Sequence, residues 1–332
     1  MVPLRVFFSR NIPYAIDRFQ QLLGPELLAR VEISSFHDAA ASIPRAQLLE
    51  SVRGCAALFC LLTDRVDAEL LDAAGPQLRV VSTMSVGYNH IDVPACRARR
   101  VSVGNTPGVL DVSTAETAVA LTFAASRRIV ECVDSARSGG WGVWQPFQYC
   151  GADVTGSTVG ILGLGRIGLT YAKMMKHGFG CKIVYTGPSR KHDHEAALGG
   201  DVDFLPFEEL LACSDIVSVH TPLTDATKHL MNARAFEHMK RSAVFVNTSR
   251  GDVVDQDALY DALKSGRVAA AGLDVTTPEP LPTSHALFTL PNCVVLPHVG
   301  SATVKTRQAM ADLAVQNLVA GLRGEPLPHS VM

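Results

Sequence analysis

No apolar run in this 332-residue chain approaches the roughly 18 residues needed to span a bilayer, which excludes a helical membrane anchor within it. Charge of one sign is not in excess either. Thirty Lys and Arg stand against 32 Asp and Glu, a formal net charge of -2, so no overall basic field draws the chain to nucleic acid or an anionic membrane. Paired cysteines are missing. Eight thiols, at 55, 60, 96, 132, 150, 181, 213 and 293, are scattered singly, with no C-x-x-C and no ligand-like spacing to histidines. That pattern argues against a metal centre or a disulfide scaffold and for buried thiols in a reducing, cytoplasmic compartment. The N-terminal MVPLRVFFSRNIPYAIDRF has no acid before Asp17 and faintly resembles a transit peptide, yet LRVFF and the helical pattern after it read better as a first strand and helix. The final SVM is not the peroxisomal S-K-L.

Hydrophobic residues, by contrast, make up 47% of the chain, enough for two cores of ordinary size. Short β-rich runs alternate with helical patterns: LRVFF then YAIDRFQQLL, VEISSF then RAQLLESV, CAALFCLL then AELLDAAG, LRVVSTMSV then HIDVPACRARR, and finally VSVGN. A second series runs from STVGILGLG through KIVYT, DIVSVH, AVFVN and VAAAGLDV to CVVLPH, with helices between. Such alternation is the signature of βαβ units and predicts an α/β protein with two doubly wound parallel-sheet domains. VSTAETAVALTFAASRRIVECVDSARSGG reads as a longer helical segment between them. A last helix from about Thr303 to Gly321 has no strand after it and could pack back onto the first domain, making that domain discontinuous.

TVGILGLGRIG sets Gly163, Gly165 and Gly168 in G-x-G-x-x-G spacing, straight after a strand and opening a helix. The glycines permit a tight turn and a close approach to a pyrophosphate, which the free N–H groups and dipole of the helix start would hold. About 20 residues on, NAD-selective proteins carry an acid for the ribose hydroxyls; this chain has Thr186 and then GPSRK, with no acid before Asp193. Arg190, with Lys191, can pair instead with a 2′-phosphate, which predicts NADP(H) as the preferred cofactor with NAD(H) possible.

In open α/β sheets ligands bind beyond the carboxyl ends of the strands. Three segments deliver reactive groups there: VFVNTSRG offers Arg250, AGLDVTTPEP offers Asp274 and Glu279, and VVLPHVGSAT offers His298. Singly, a loop arginine is usually solvated, a glutamate before proline usually marks a turn, and a histidine after proline is usually structural. Together they suit hydride transfer to a 2-oxo acid. A guanidinium fork can hold a carboxylate and polarise the neighbouring carbonyl. An imidazolium can protonate the developing alkoxide, and a carboxylate beside it favours the charged ring.

At these residues the chain closely resembles the D-isomer-specific 2-hydroxyacid dehydrogenases, through GLGRIG, VNTSRGDVVDQDAL, AGLDV with PEP, LPHVGSAT and SVGYNHID. Within that family it is most similar to the glyoxylate and hydroxypyruvate reductases, through YTGPSR, LDVTTPEPLP and AGLRGEP. The resemblance implies that Arg250, Glu279 and His298 are catalytic and that the backbone amides of Val86 and Gly87 bind the substrate carboxylate. It also implies cofactor or substrate contacts around Arg166, Ile167, Ser189, Thr221, Thr248, Asp274, Gly300 and Ser301. A Rossmann domain, 106–297, would be inserted in a flavodoxin-like substrate domain, 1–105 with 298–332, closing on it by a hinge. A homodimer is implied as well. Trp141 and Trp144, the chain's two tryptophans, sit in the Gly-rich GGWGVWQPFQYC, and Trp141 is expected to reach the partner's active-site mouth or simply to fill the dimer interface. Asn89 stands where the family's VG-x-D-x-ID has an aspartate. A D-lactate or 3-phosphoglycerate dehydrogenase, and a non-catalytic dinucleotide-sensing corepressor, stay open as other readings.

Overall fold

The computed structural model describes residues 3–38 and 41–332. It divides into two compact units, Met1–Leu110 with Thr303–Met332, and Asp111–Ala302.

The first unit holds β1 (Leu4–Phe8), α1 (Pro13–Leu28), β2 (Val31–Ser35), α2 (Arg45–Ser51), β3 (Cys55–Cys60), α3 (Ala68–Ala74), β4 (Val80–Thr83), α4 (Val93–Ala98) and β5 (Ser102–Gly104). Its five strands are all parallel, in the order β2-β1-β3-β4-β5. The inner strands β3 and β4 are buried along their whole length, as parallel strands covered on both faces must be.

Unit two begins with α5 (Asp111–Ser126) and α6 (Ile129–Ser138). It continues through β6 (Thr158–Leu162), α7 (Arg166–Phe179), β7 (Lys182–Thr186), α8 (His192–Ala197), β8 (Asp203–Phe204), α9 (Phe207–Cys213) and β9 (Ile216–Val219). Then come α10 (Ala233–His238), β10 (Val244–Asn247), α11 (Gln256–Lys264), β11 (Ala270–Leu273) and β12 (Cys293–Val295). Its seven parallel strands run β12-β11-β10-β9-β6-β7-β8, so the order reverses beside β6, the kind of switch point at which open α/β sheets bind their ligands. Residues 298–302 belong to this unit because Asp274, just past β11, binds their backbone.

The long helical segment is helical as expected and consists of two helices, α5 and α6. The chain breaks between Ser126 and Ile129, where Arg128 takes a left-handed backbone (φ 53°) and its guanidinium grips Glu131 at 2.7 and 2.8 Å. The Ser126 carbonyl, instead of continuing the helix, accepts the N–H of Ala152 at 2.9 Å.

The last helix, α12 (Val304–Arg323), does return to the first unit, where it packs on α1, β3, β4 and β5. Leu318, Val319 and Leu322 are buried there, each contributing about 1.5–3 kcal/mol. Gly321 and Gly104 permit the fit: an added Cβ would lie 2.5 Å from Val80 Cβ at the first and 2.6 Å from Asn317 Cγ at the second. The tail beyond α12 is not wholly without sheet contact. Ser330 forms an antiparallel bridge with Gly104, and the Val331 N–H donates to the Val103 carbonyl at 3.0 Å. No helix among the described residues is long and apolar enough to cross a membrane.

Candidate active site

At the carboxyl end of β10 the chain turns sharply, and Asn247 builds the turn. Its Oδ1 accepts both the N–H and the hydroxyl of Ser249 at 3.0 Å, while its Nδ2 donates to the Arg250 carbonyl at 2.9 Å. A core strand thus delivers an arginine because a buried amide caps it. Arg250 Nη1 donates to the Ser249 carbonyl at 2.7 Å. Burial pulls the guanidinium down from its usual value while Glu279 works against the shift, and an arginine so placed keeps its charge. Gly251 is needed behind it, since a Cβ there would strike the Thr276 backbone.

Asp274 follows β11 and is buried. Its carboxylate accepts the N–H groups of Val299 and Gly300, each at 2.7 Å, and its carbonyl accepts that of His298 at 2.9 Å. Burial raises the Asp274 carboxyl, against the lowering pull of those two amides and of His298. These bonds hold His298 in the left-handed region, φ 54°, a conformation costing about 1–3 kcal/mol in a non-glycine residue.

His298 Nδ1 lies 2.8 Å from Glu279 Oε2, and Glu279 Oε1 accepts the Thr276 N–H at 3.0 Å. Burial acts to raise the Glu279 carboxyl, but the His298 hydrogen bond and charge, the Thr276 amide and Arg250 outweigh it, leaving it below the usual glutamate range. An ionised carboxylate only accepts, so Nδ1 carries the proton in this bond and Nε2 is the nitrogen available to other partners. Three strand ends therefore meet in one cluster of a guanidinium, a carboxylate and an imidazole. Among the described residues no group of three or more His, Cys, Asp or Glu is placed to hold a metal ion.

The glycine loop lies at the end of β6. Gly163 has φ 93° and packs against the His220 and Thr221 backbone, and a Cβ on Gly168 would strike the Gly163 carbonyl. Beyond Gly165 there is open space, which a side chain would fill, and Gly165 caps α7, whose first residues are Arg166 and Ile167. Thr248 Oγ1 is buried with no hydrogen-bond partner among the described residues. A cradle of free helical N–H groups and an orphaned hydroxyl fit a dinucleotide.

Thr186 ends β7, its carbonyl accepting the Gly163 N–H at 3.0 Å, and Ser189 and Arg190 are exposed in the following loop. Glu195, which the sequence reading passed over, shapes this loop. It accepts Tyr185 Oη at 2.6 Å and Arg190 Nε at 2.8 Å, and Tyr185 Oη in turn accepts the Lys191 N–H at 2.8 Å. His220 was likewise unforeseen. Burial pushes its imidazole down to about 3, so it is neutral, with Nε2 2.9 Å from Ser218 Oγ.

In the first unit, β4 runs into Ser85, Val86 and Gly87. Asn105 Nδ2 donates to the Val86 carbonyl at 2.8 Å, and Ser85 Oγ to the Gly87 carbonyl at 2.7 Å. Trp141 and Trp144 are exposed at 64% and 73%. Ser301 lies in the second unit after the His298 turn, half-buried.

Residues 119–300 match the NAD binding domain of the D-isomer specific 2-hydroxyacid dehydrogenases. The glyoxylate reductase/hydroxypyruvate reductase of Homo sapiens is 48% identical over 99% of this chain and 98% of its own. The crystal structure of the TT0316 protein from Thermus thermophilus superposes with a TM-score of 0.89 at 42% identity, covering 99% of this chain and 100% of that one. The NADPH-dependent glyoxylate/hydroxypyruvate reductase of Sinorhizobium meliloti, solved with NADP and malonate, gives 0.82 at 31%, covering 99% and 96%. The chain is an oxidoreductase that belongs to the D-isomer specific 2-hydroxyacid dehydrogenase family, and residues 119–300 are its NAD binding domain.

Proposed function

We propose that the protein reduces small 2-oxo acids with NADPH, hydroxypyruvate to D-glycerate and glyoxylate to glycolate, with His298 as the general acid. The observation that carries this reading is the 2.8 Å bond between His298 Nδ1 and Glu279 Oε2, on a histidine whose backbone is pinned by Asp274. The bound nicotinamide supplies the hydride. Arg250 holds the carboxylate and polarises the carbonyl; His298 gives the developing alkoxide its proton, a step worth about 10²–10⁴ in rate. Glu279 steadies the imidazolium and fixes its tautomer. Val86 and Gly87 bind the substrate carboxylate through their amides, in keeping with the first unit, with residues 303–332, as the substrate domain.

For the cofactor, Gly163, Gly165, Arg166, Ile167 and Gly168 hold the pyrophosphate, and Thr221, Thr248, Asp274 and Gly300 line the remainder. Thr186 brings no charge against a 2′-phosphate, and Ser189 and Arg190 receive it. Support comes from the exposed Arg190 guanidinium, which Glu195 engages mainly through Nε. The Sinorhizobium meliloti relative, named as NADPH-dependent, agrees.

Ile129, Val130, Val133, Trp141, Val143, Trp144 and Phe147 form a run of exposed apolar side chains in α6 and the segment after it. Such a surface supports a homodimer in which Trp141 meets the partner's substrate. Sedimentation of the wild-type protein at a monomer's mass would refute the dimer, and an unchanged preference between hydroxypyruvate and glyoxylate in Trp141→Ala would remove that role.

Loss of nicotinamide absorbance, followed with NADPH and NADH in parallel against hydroxypyruvate, glyoxylate and pyruvate, tests the whole reading. Fast NADPH oxidation with the first two is expected. Faster turnover with pyruvate would favour a D-lactate type enzyme, and no turnover with any pair would favour a dinucleotide-sensing binding protein.

A further inference from the structure

The loop that follows β4 is held by its carbonyls, and this aims the amides on the other side of the same peptides. Ser85 is 5% exposed and Asn105 8%, so both sit beneath the loop. Asn105 Nδ2 grips the Val86 carbonyl and Ser85 Oγ grips the Gly87 carbonyl. In a trans peptide the N–H points opposite to the C=O. Holding those two carbonyls therefore turns the N–H groups of Gly87 and Tyr88 away from Asn105 and Ser85 respectively. No described residue accepts from either N–H. Two consecutive amides with no partner among the described residues are free to bind an anion.

The grip is braced from behind. Ser85 Oγ has one proton, and it goes to Gly87. Thr83 Oγ1, 2.9 Å away, must then donate to Ser85, and His90 Nε2, 3.0 Å from Thr83 Oγ1, must donate to Thr83. The relay has one direction, ending on the loop. On the other side, the Asn105 carbonyl accepts Asn317 Nδ2 at 3.0 Å, and the Asn105 N–H donates to His329 at 3.2 Å. Asn317 Oδ1 accepts the His329 N–H at 3.0 Å, and Asn317 is fully buried in α12.

We propose that Ser85 and Asn105 are positioning residues that set the amides of Gly87 and Tyr88, beside that of Val86, in the carboxylate seat, with Asn317 and the chain around His329 as their brace. This rests on the reading of the 86–87 backbone as the carboxylate site and adds the Tyr88 amide to it.

The test uses full-length protein with ¹⁵N-labelled glycine and tyrosine, saturated with cofactor and titrated with oxalate as a small carboxylate. Ser85→Ala, Ser85→Thr and Asn105→Asp are compared with wild type for oxalate affinity, KM of the oxo acid and cofactor Kd. In wild type the Gly87 and Tyr88 amide resonances are expected to move. Removing one such hydrogen bond is worth about 0.5–1.5 kcal/mol, so Ser85→Ala should weaken oxalate and raise KM about three- to tenfold. Ser85→Thr, which keeps the hydroxyl, should restore both to within about twofold, and Asn105→Asp, which sets an oxygen against the Val86 carbonyl, should lose at least about tenfold, with cofactor Kd unmoved in all three. Should Ser85→Ala not fold, Thr83→Val breaks the same relay and is read in its place. Moving resonances with unchanged affinities in the variants would overturn the positioning role and leave the carboxylate reading intact, and a parallel loss of cofactor affinity would show a merely structural one. Oxalate binding without movement of the Gly87 and Tyr88 resonances would overturn the carboxylate reading itself, and this proposal with it.

Discussion

The Asp274 carbonyl accepts the His298 N–H at 2.9 Å, while the carboxylate of the same residue takes the next two N–H groups, those of Val299 and Gly300, at 2.7 Å. One buried side chain at the end of β11 thereby fixes the backbone of a histidine that would not otherwise hold a left-handed conformation. Asp274→Asn replaces one acceptor oxygen with a donor facing an amide. A hydrogen bond to a charged group is worth about 1.5–3 kcal/mol, so kcat/KM should fall about 10- to 100-fold. Steady-state kinetics with either oxo acid checks this, and an unchanged rate would mean that the turn holds itself.

The Glu279 carboxyl lies below its ordinary value of 4.5, because burial, which would raise it, is outweighed chiefly by His298, then by the Thr276 amide and Arg250. A carboxylate depressed on folding contributes stability that is fully present above the unfolded value and is lost as pH falls through the folded one. Glu279→Gln should therefore flatten the fall in unfolding free energy below about pH 4.5, as measured by urea denaturation across pH. The same variant should lower kcat about 10-fold or more with cofactor Kd nearly unchanged, and an unchanged kcat would end the role of Glu279 toward His298.

His220 follows the end of β9 as His298 follows that of β12, so each is a candidate for the proton donor that the proposed reaction needs. His220, pushed down to about 3 by burial, has no proton to give near neutrality. His298→Gln should cost about 10²–10⁴ in kcat with cofactor Kd nearly unchanged. His220→Gln should leave the shape of the pH–rate profile as it is in wild type. If His298→Gln instead abolished cofactor binding, the proton donor would have to be sought elsewhere.

Arg190 is held by Glu195, which Tyr185 Oη in turn steadies, in the loop after β7. Arg190→Ala should lower kcat/KM for NADPH about 10- to 100-fold, the worth of a charge-assisted contact, and leave that for NADH within about twofold. Equal losses with both cofactors would assign Arg190 to the loop's architecture alone.

Much of this was legible in the sequence for a physical reason: it is written in contiguous residues. Strand, glycine loop and helix follow one another from Thr158 to Phe179, and Arg250, Asp274 and His298 each lie within a few residues of a strand end. What the sequence hid depends on contacts between distant residues. The helix break at Arg128 is fixed by the chain near Ala152 passing over Ser126, and nothing in SRRIV announces it. Glu195 looks like an ordinary helix-start acid until α8 folds back on Tyr185. Asn317 and Asn105 stand 212 positions apart, and no local pattern could join them.

The placement of α12 also orders events in time. During synthesis the first five strands are made well before the helix that covers β3, β4 and β5, and the whole NAD binding unit emerges between them. That unit, contiguous in sequence, can close as soon as it leaves the ribosome, while the earlier one waits with an uncovered sheet face. Refolding from denaturant should follow the same logic, with slow closure of the distant α12 contacts setting the pace for the unit that begins the chain.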